Sequence, residues 1–527
     1  MRPPSASRGD GACLGEAAQR TPSLLRAWRV LACEPRQAWS IATAWIGGKR
    51  LRARQRLAAA IGIDHRLALP PRAIPNGEDA IPADGAILVV GAERLVPGAV
   101  ARLRHAFASD PSLQALYGDG LVQDGVGGPV HPRLPPAFDP DLLLAVDYIG
   151  ALVLRRGALP EPVPTHPVEA ALRVLETHGA AAIGHLPGLL TVRPGDCDAP
   201  TDAVAARLAA VRAHLDRTGA ADTTVWPGAD GVLDVAHPLR ETPLVTVIVP
   251  TRDRLDLLKP CLESLRAKTA WPSLEILVID NGSREEATLA YLRDLERGGR
   301  GRVVPYPGPF NFAAMNNEAA KQARGRLLVF MNNDVEAFRP DWLVAMARHA
   351  LRPGVGAVGA KLLDGEGRIQ HGGIVLGTGG LVTHSHRHFP GDAPGYLSAL
   401  RAAHGVSAVT AACLMVEASK FQAVGGFDAE RFAVDFNDVD LCLRLNAEGH
   451  RTMVVPAAIL HHREAASRRW TAEASARHSR EVAALKERWG PLLAQDPHYH
   501  PRFDPGLSTH ARLSRTEAAD LSVRRAG

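Results

Sequence analysis

Two apolar, β-branched runs separated by one helical turn pattern constrain this chain more than any other feature. Residues 244–250 read LVTVIVP and residues 274–280 read LEILVID; runs of this texture fit strands buried on both faces of a parallel sheet. Between them Leu255, Leu258, Leu262 and Leu265 recur at helical spacing, which makes the segment a βαβ unit. Further strands are expected from Arg302 to Tyr306 and from Arg326 to Met331, with a helix from Phe312 to Arg324 between them. The segment therefore reads as a mostly parallel sheet covered by helices, a fold class in which ligands sit beyond the carboxyl ends of the strands. Polar residues fall at those ends: Thr251 and Asp253 after the first strand, Asp280, Asn281 and Ser283 after the second, and Asn332, Asn333 and Asp334 after RLLVFM. Turn formation would account for any one of these groups. Three together favour a single crevice.

The bulk numbers bound the rest. A chain of 527 residues is too long for one ordinary core and predicts two or three domains. With 46% hydrophobic and 22% charged residues it is globular in composition. A formal charge of +5 over this length does not argue for a nucleic-acid partner without a clustered basic face. Six cysteines, at 13, 33, 197, 261, 413 and 442, lack the short repeated spacings of a disulfide framework or a zinc site. No apolar run approaches the roughly 20 residues that span a bilayer, and the opening MRPPSASRGDGACLGEA lacks a signal-peptide core. A cytoplasmic location is expected. Residues 1–80 read as a helical or irregular region, in which Lys49, Arg50, Arg52, Arg54 and Arg56 form a run. That run suits a peripheral contact with the inner face of an anionic membrane, although a solvated helix face is the plainer reading.

A weak internal repeat precedes residue 243. AILVVGAERLVPGAVARLRHAF from Ala86 parallels RLLVFMNNDVEAFRPDWLVAMARHA from Arg326, and VEAALRVLETHG from Val168 parallels VDLCLRLNAEGH from Val439. In this register Gly91, Ala92 and Glu93 stand where Asn332, Asn333 and Asp334 stand, and Pro167 stands where Asp438 stands. The first copy has lost the polar groups.

VTVIVPTRD, EILVIDNGS, FNFAAMNNEAA, LLVFMNNDVEAFRPDWL, IQHGGIVLG, SAVTAACLMV, VGGFD, FNDVDLCLRL and LHHREAASR follow one another between residues 245 and 468. In these stretches the segment resembles glycosyltransferase family 2 domains of the GT-A fold, in the bacterial branch that acts on O-antigens, rhamnans and related surface polysaccharides. The resemblance implies a catalytic domain over residues 243–470, a C-terminal helix and tail over 471–527, and a degenerate, partial GT-A-like domain over 81–236 that lacks the nucleotide-binding front half. It implies an inverting transfer of a sugar from a nucleotide-diphosphate donor to a glycan or lipid-linked glycan acceptor. A divalent cation, Mg²⁺ or Mn²⁺, would receive the diphosphate charge. Asp334 matches the last residue of the family's metal-binding motif, whereas Asn332 and Asn333 depart from its common acidic form. His462 matches the family's metal-shell histidine, with His461 the weaker candidate. Asp438 matches the catalytic base, with Asp435 and Asp440 as rivals. Pro250, Thr251, Asp253, Asp280, Asn332 and Asn333 would border the donor, and Asn316 the diphosphate, with an interior helix amide as its equal alternative.

Other features point elsewhere. Gly354, Gly356 and Gly359 spell GxGxxG but follow a helix pattern and lead into an apolar run, the reverse of a dinucleotide site. His384, His386 and His388 alternate, which would place them on one strand face, but a polar loop over the acceptor side is the expectation; Trp342 is expected to pack a helix. A sugar nucleotidyltransferase would need a Gly-bearing first loop, which VPTRDRLD lacks. A catalytically inactive glycan-binding or scaffold protein remains the second alternative, favoured by Asn332 and Asn333 and opposed by Asp280, Asp334, Asp438 and His462.

Overall fold

The computed structural model describes residues 35–63, 87–123, 128, 130–193, 203–463, 471–514 and 524. The opening 17 residues, Cys13, Cys33, Cys197 and the end of the LHHREAASR motif lie outside them. The chain divides into two compact units, one of residues 1–135, 149–203 and 501–524 and one of residues 136–148, 204–500 and 525–527.

The larger unit is built on a ten-stranded sheet. Its first strand, β1 (Val245–Thr251), is buried at every residue. It is followed by α1 (Leu255–Ala267), β2 (Leu274–Asp280), α2 (Glu286–Arg297), β3 (Arg302–Pro305), α3 (Phe312–Gln322) and β4 (Leu327–Met331). After these come β5 (Val335–Ala337), α4 (Trp342–Ala350), β6 (Val355–Leu363), β7 (Ile369–His371), β8 (Ile374–Leu376), β9 (Val382–His384), β10 (His404–Gly405) and β11 (Cys413–Glu417). The unit ends with α5 (Ala418–Ala423), α6 (Asn437–Ala447), β12 (Arg451–His462) and α7 (Ala472–Ala494). Strand order is β3-β2-β1-β4-β11-β6-β12-β5, with β7 on β6 and β10 on β12. The βαβ unit is present, and Leu258, Leu262 and Leu265 of α1 are fully buried against the sheet. Strands β3, β2, β1 and β4 are parallel. Beyond β4 the sheet is mixed: β6 and β12 are parallel, whereas β11 is antiparallel to both β4 and β6, and β5 is antiparallel to β12.

The smaller unit has a six-stranded sheet in the order Ile87–Val90, Leu152–Arg155, Ala115–Gln123, Ile183–Arg193, Arg94–Leu95, with Val130–Arg133 on Ala115–Gln123. Its successive pairs run antiparallel, antiparallel, parallel and antiparallel, and the off-path strand is antiparallel. The path β4-β11-β6-β12-β5, with β7 on β6, has the same senses in the same order. Helices Ala99–Ser109 and Pro167–His178 stand in the chain positions of α4 and α6. Among the described residues of this unit, nothing corresponds to β1, β2 and β3.

The division departs from the boundaries expected from sequence. Residues 136–148 group with the larger unit because Asp139 accepts the Gly405 amide at 2.7 Å and Asp141 pairs with Arg352 and Arg451, each at 2.6 Å. Residues 204–236, a helix and a hairpin, also belong there, whereas the helices of residues 35–61 group with the smaller sheet. Among the described residues no helix is long and apolar enough to cross a membrane.

Candidate active site

Because β1 and β2 are in parallel register with Thr251 opposite Asp280, their polar exits fall side by side. Thr251 is buried, and its hydroxyl accepts a hydrogen bond from Asn333 Nδ2 at 3.0 Å, tying the β1 exit to the turn after β4. Asp280 Oδ1 accepts the Ser283 amide at 2.9 Å. Asp253, in a left-handed backbone conformation, receives hydrogen bonds on Oδ1 from the amides of Arg284 (2.6 Å) and Glu285 (2.8 Å). Those amides, Glu285 first, hold its carboxyl below the usual range. Asp253 thus caps the loop leading to α2, a role the sequence reading did not assign it. Pro250 lies within β1, opposite Ile279. Asn316 is fully buried in α3, where Nδ2 donates to the Phe312 carbonyl one turn back at 2.8 Å. It lies in the helix interior, with its Oδ1 making no hydrogen bond.

Asp334 and His462 meet directly. β5 pairs with the end of β12 so that Val335 lies opposite His462, and His462 Nε2 stands 3.1 Å from Asp334 Oδ1. On the other side of the ring Nδ1 donates to Gln370 Oε1 at 3.0 Å. With that proton on Nδ1, the Nε2 lone pair faces a carboxylate oxygen. Two acceptors this close repel unless a cation or a second proton lies between them. The donor set, one carboxylate oxygen and one imidazole nitrogen oriented by an amide, suits a divalent ion. His461, on the alternate face of β12, packs edge-on against Phe338 instead.

Asp438 sits in the first turn of α6. Its Oδ2 accepts the Ala411 amide at 3.0 Å, and the neighbouring Ala412 carbonyl accepts the Asn332 amide at 3.2 Å. Thr410 also bonds its carboxylate, and the Thr410 amide reaches His371 Nε2 at 3.5 Å. His371 follows Gln370, the partner of His462. Two short links therefore join Asp438 to the Asp334–His462 pair, one through residues 411–412 and one through residues 370–371. Burial pushes the Asp438 carboxyl up, against the hydrogen bonds from Ala411, Val439 and Thr410. A partly buried carboxylate of raised basicity suits proton abstraction.

The rival acids have other occupations. Asp440 is fully buried between Arg444 (2.8 Å), Arg488 (2.8 Å) and the indole of Trp489 (3.0 Å). Asp435 pairs with His478 at 3.2 Å, and its amide bonds Glu481. Both tie α6 and the loop before it to α7. The histidine trio does not share a strand face, because positive φ at His386 and His388 breaks the extended chain. Nor is it a polar loop: His386 and His388 are buried, and His384 Nδ1 lies 2.8 Å from His371 Nδ1. Burial pushes His371 well down and His384 down to about 3, so both rings are neutral and share one proton between the two nitrogens. Gly354 precedes β6 while Gly356 and Gly359 lie on it, and a Cβ at Gly359 would meet Val409 at 2.5 Å, so close packing explains that glycine. Trp342 is buried in α4 and donates to Thr269 at 3.0 Å. Sequence reasoning missed Gln370, Thr410 and His371; their only signal was position inside IQHGG and SAVTAAC.

A second acid–histidine group, Asp141, His237 and His349, has ligand atoms within 4.8 Å of one another. Arg352 and Arg451 already neutralise Asp141, so a cation is disfavoured there. In the smaller unit, Glu93 is buried and clasped by both terminal nitrogens of Arg133 and by the Thr191 hydroxyl at 2.6 Å.

Residues 246–373 match the model of Glycosyl transferase family 2. The uncharacterized protein y4gI of Sinorhizobium fredii is 37% identical over 430 residues, covering 78% of this chain and 47% of that protein. The O-antigen biosynthesis protein RfbC of Myxococcus xanthus is 37% identical over 462 residues, covering 83% of this chain and 35% of its own. The N-acetylglucosaminyl-diphospho-decaprenol L-rhamnosyltransferase of Mycobacterium tuberculosis is 27% identical over 248 residues, 42% of this chain and 77% of its own. The chain spans less than half the length of the first two relatives.

Proposed function

We propose that this chain, which carries a GT-A domain of glycosyltransferase family 2, is an inverting glycosyltransferase that moves a sugar from a nucleotide-diphosphate donor to a hydroxyl of a growing surface glycan or its lipid-linked precursor. The observation that carries the reading is the linked set at the strand exits: Asp334 against His462, and Asp438 two short links away. The O-antigen and rhamnosyl names of the relatives support the acceptor class.

The nucleotide end of the donor lies along Thr251 and Asp280, beside the loop that Asp253 organises. Asp334 and His462 would hold a divalent ion, Mg²⁺ or Mn²⁺, which would supply positive charge to the leaving diphosphate. Asn332 and Asn333 supply no charge, so one carboxylate serves the ion and its affinity without donor is low. Asp438 takes the proton of the acceptor hydroxyl as that oxygen attacks the anomeric carbon from the face opposite the leaving diphosphate, a single displacement that inverts configuration. Alignment of the two substrates supplies much of the rate. The smaller unit is a partial, degenerate relative of the same fold, without the donor half and with an internal ion pair at the position of the metal motif.

Calorimetric titration of nucleotide sugars with Mn²⁺ tests the reading. One donor is expected to bind, and Asp334→Ala to lose most of that affinity. Unchanged binding in Asp334→Ala would remove it from the ion site, and donor binding without any transfer to glycan acceptors would favour the inactive scaffold.

A further inference from the structure

The helix Pro35–Ile46 turns through Gly47 and Gly48 into the helix Arg50–Ile61. The inner side of this hairpin is made of small residues: Ala44, Ala53, Ala58 and Ala59 are buried. Its outer side is not polar. Trp39 is 72% exposed, Trp45 56% and Ile46 83%. Trp39 and Ile46, seven residues apart, share one helix face, and Trp45 extends the patch around the tip. Two indoles and an isoleucine, held in water along the first helix from Trp39 to its end at Ile46, contribute little to the packing of the hairpin. Beside them stand Lys49 and Arg50, both exposed. From Pro35 to Ile63 the sequence holds six cationic residues and no acidic one. Of these, Arg54 pairs with Asp504, while Lys49 and Arg50 put two exposed positive charges at the turn between the helices.

From this juxtaposition we propose that the hairpin docks on an anionic lipid bilayer through the outer face of its first helix, with Trp39, Trp45 and Ile46 entering the headgroup boundary and Lys49 and Arg50 against lipid phosphates. Indoles favour that boundary because one ring edge is polar and the rest apolar. An apolar face rimmed by cations distinguishes a bilayer from a protein partner by charge complementarity: both terms act together on an anionic surface and only one on a neutral surface. The hairpin is too short to cross the membrane; it lies on it. Docking goes beyond the transfer reaction and is independent of it, since it requires neither donor nor acceptor.

The test is co-sedimentation of the full chain with vesicles of phosphatidylglycerol and phosphatidylcholine, and with vesicles of phosphatidylcholine alone, reading tryptophan fluorescence in parallel. Wild type is expected to sediment with the anionic vesicles, with a blue-shifted emission, and to bind neutral vesicles about tenfold or more weakly. The triple variant Trp39→Ala, Trp45→Ala, Ile46→Ser and, separately, Lys49→Glu with Arg50→Glu are each expected to lose tenfold or more of the binding to anionic vesicles. Both variants change exposed residues, and unaltered circular dichroism and donor affinity check that they fold. Wild type that ignores anionic vesicles, or variants that bind them as well as wild type, would overturn the proposal. So would sedimentation velocity in which wild type pairs through this patch, the triple variant is monomeric and neither binds vesicles. Loss of vesicle binding with transfer to a soluble acceptor intact supports docking, while absent transfer with intact vesicle binding touches only the enzymatic reading.

Discussion

The strands β4, β11, β6, β12, β5 and β7 of the larger unit and the sheet of the smaller unit have the same order and the same pairing senses, yet their exits hold different chemistry. In the larger unit the turn after β4 presents Asn333 to Thr251 and Asp334 to His462. In the smaller unit the corresponding turn carries Glu93, which is sealed by Arg133 and Thr191. One copy sets a carboxylate against an imidazole; the other closes its carboxylate with a guanidinium that is part of the fold. Topology therefore positions groups without deciding what they do. The copy with an internal cation has no place for an external one.

The contrast can be broken by substitution, most forcefully at the base. Asp438→Asn is expected to cut transfer on the order of a thousandfold while donor affinity stays within about twofold, as for loss of a general base; single-turnover and calorimetric measurements check this. A variant that still transfers would return the role to another group. In the smaller unit, Glu93→Ala leaves the mostly buried Arg133 without its partner and should cost roughly 3 kcal/mol in denaturant unfolding, with metal-dependent donor binding unchanged. A loss of donor affinity there would mean that the two sheets do not divide their labour. Gln370→Ala frees the His462 ring and should weaken Mn²⁺ affinity in the presence of nucleotide about tenfold to a hundredfold; unchanged affinity would make Gln370 a packing residue. The smallest effect is on pH dependence. Burial raises the Asp438 carboxyl, so the acid limb of kcat/KM should lie above the usual carboxylate range. The raised group favours the folded state in acid, and that contribution fades as pH rises through its folded value. Asp438→Asn should therefore flatten the stability profile in that window and be more stable than wild type at neutral pH.

Much of this arrangement was readable in residue order. Periodicity in LVTVIVP and LEILVID defines the βαβ unit because a strand buried on both faces needs a continuous apolar run, and the polar triplets mark the exits because loops must satisfy their own backbone. The repeat was visible because both copies need the same apolar spacing. What sequence could not assign depended on residues far apart in the chain. Asp440 looked like an ordinary first-turn carboxylate until Arg488 and Trp489 reached it from α7. The part Asp253 plays in holding the loop before α2 depends on the amides of residues 284 and 285, some thirty residues on. The segment around Asp139 and Asp141 was assigned to the wrong unit because its partners, Gly405, Arg352 and Arg451, lie more than 200 residues downstream. The buried His371–His384 pair has no local signature at all.

The bonds from α7 to Asp440 and Asp435 have a consequence for anyone shortening the protein. A fragment cut at the last residue of β12 would strand a sealed negative charge on the helix that presents Asp438, with Arg488, Trp489 and His478 gone. The smallest autonomous version of the larger unit must run past residue 489, and an expression series that ignored this would report the loss of a counterion as if it were the loss of an enzyme.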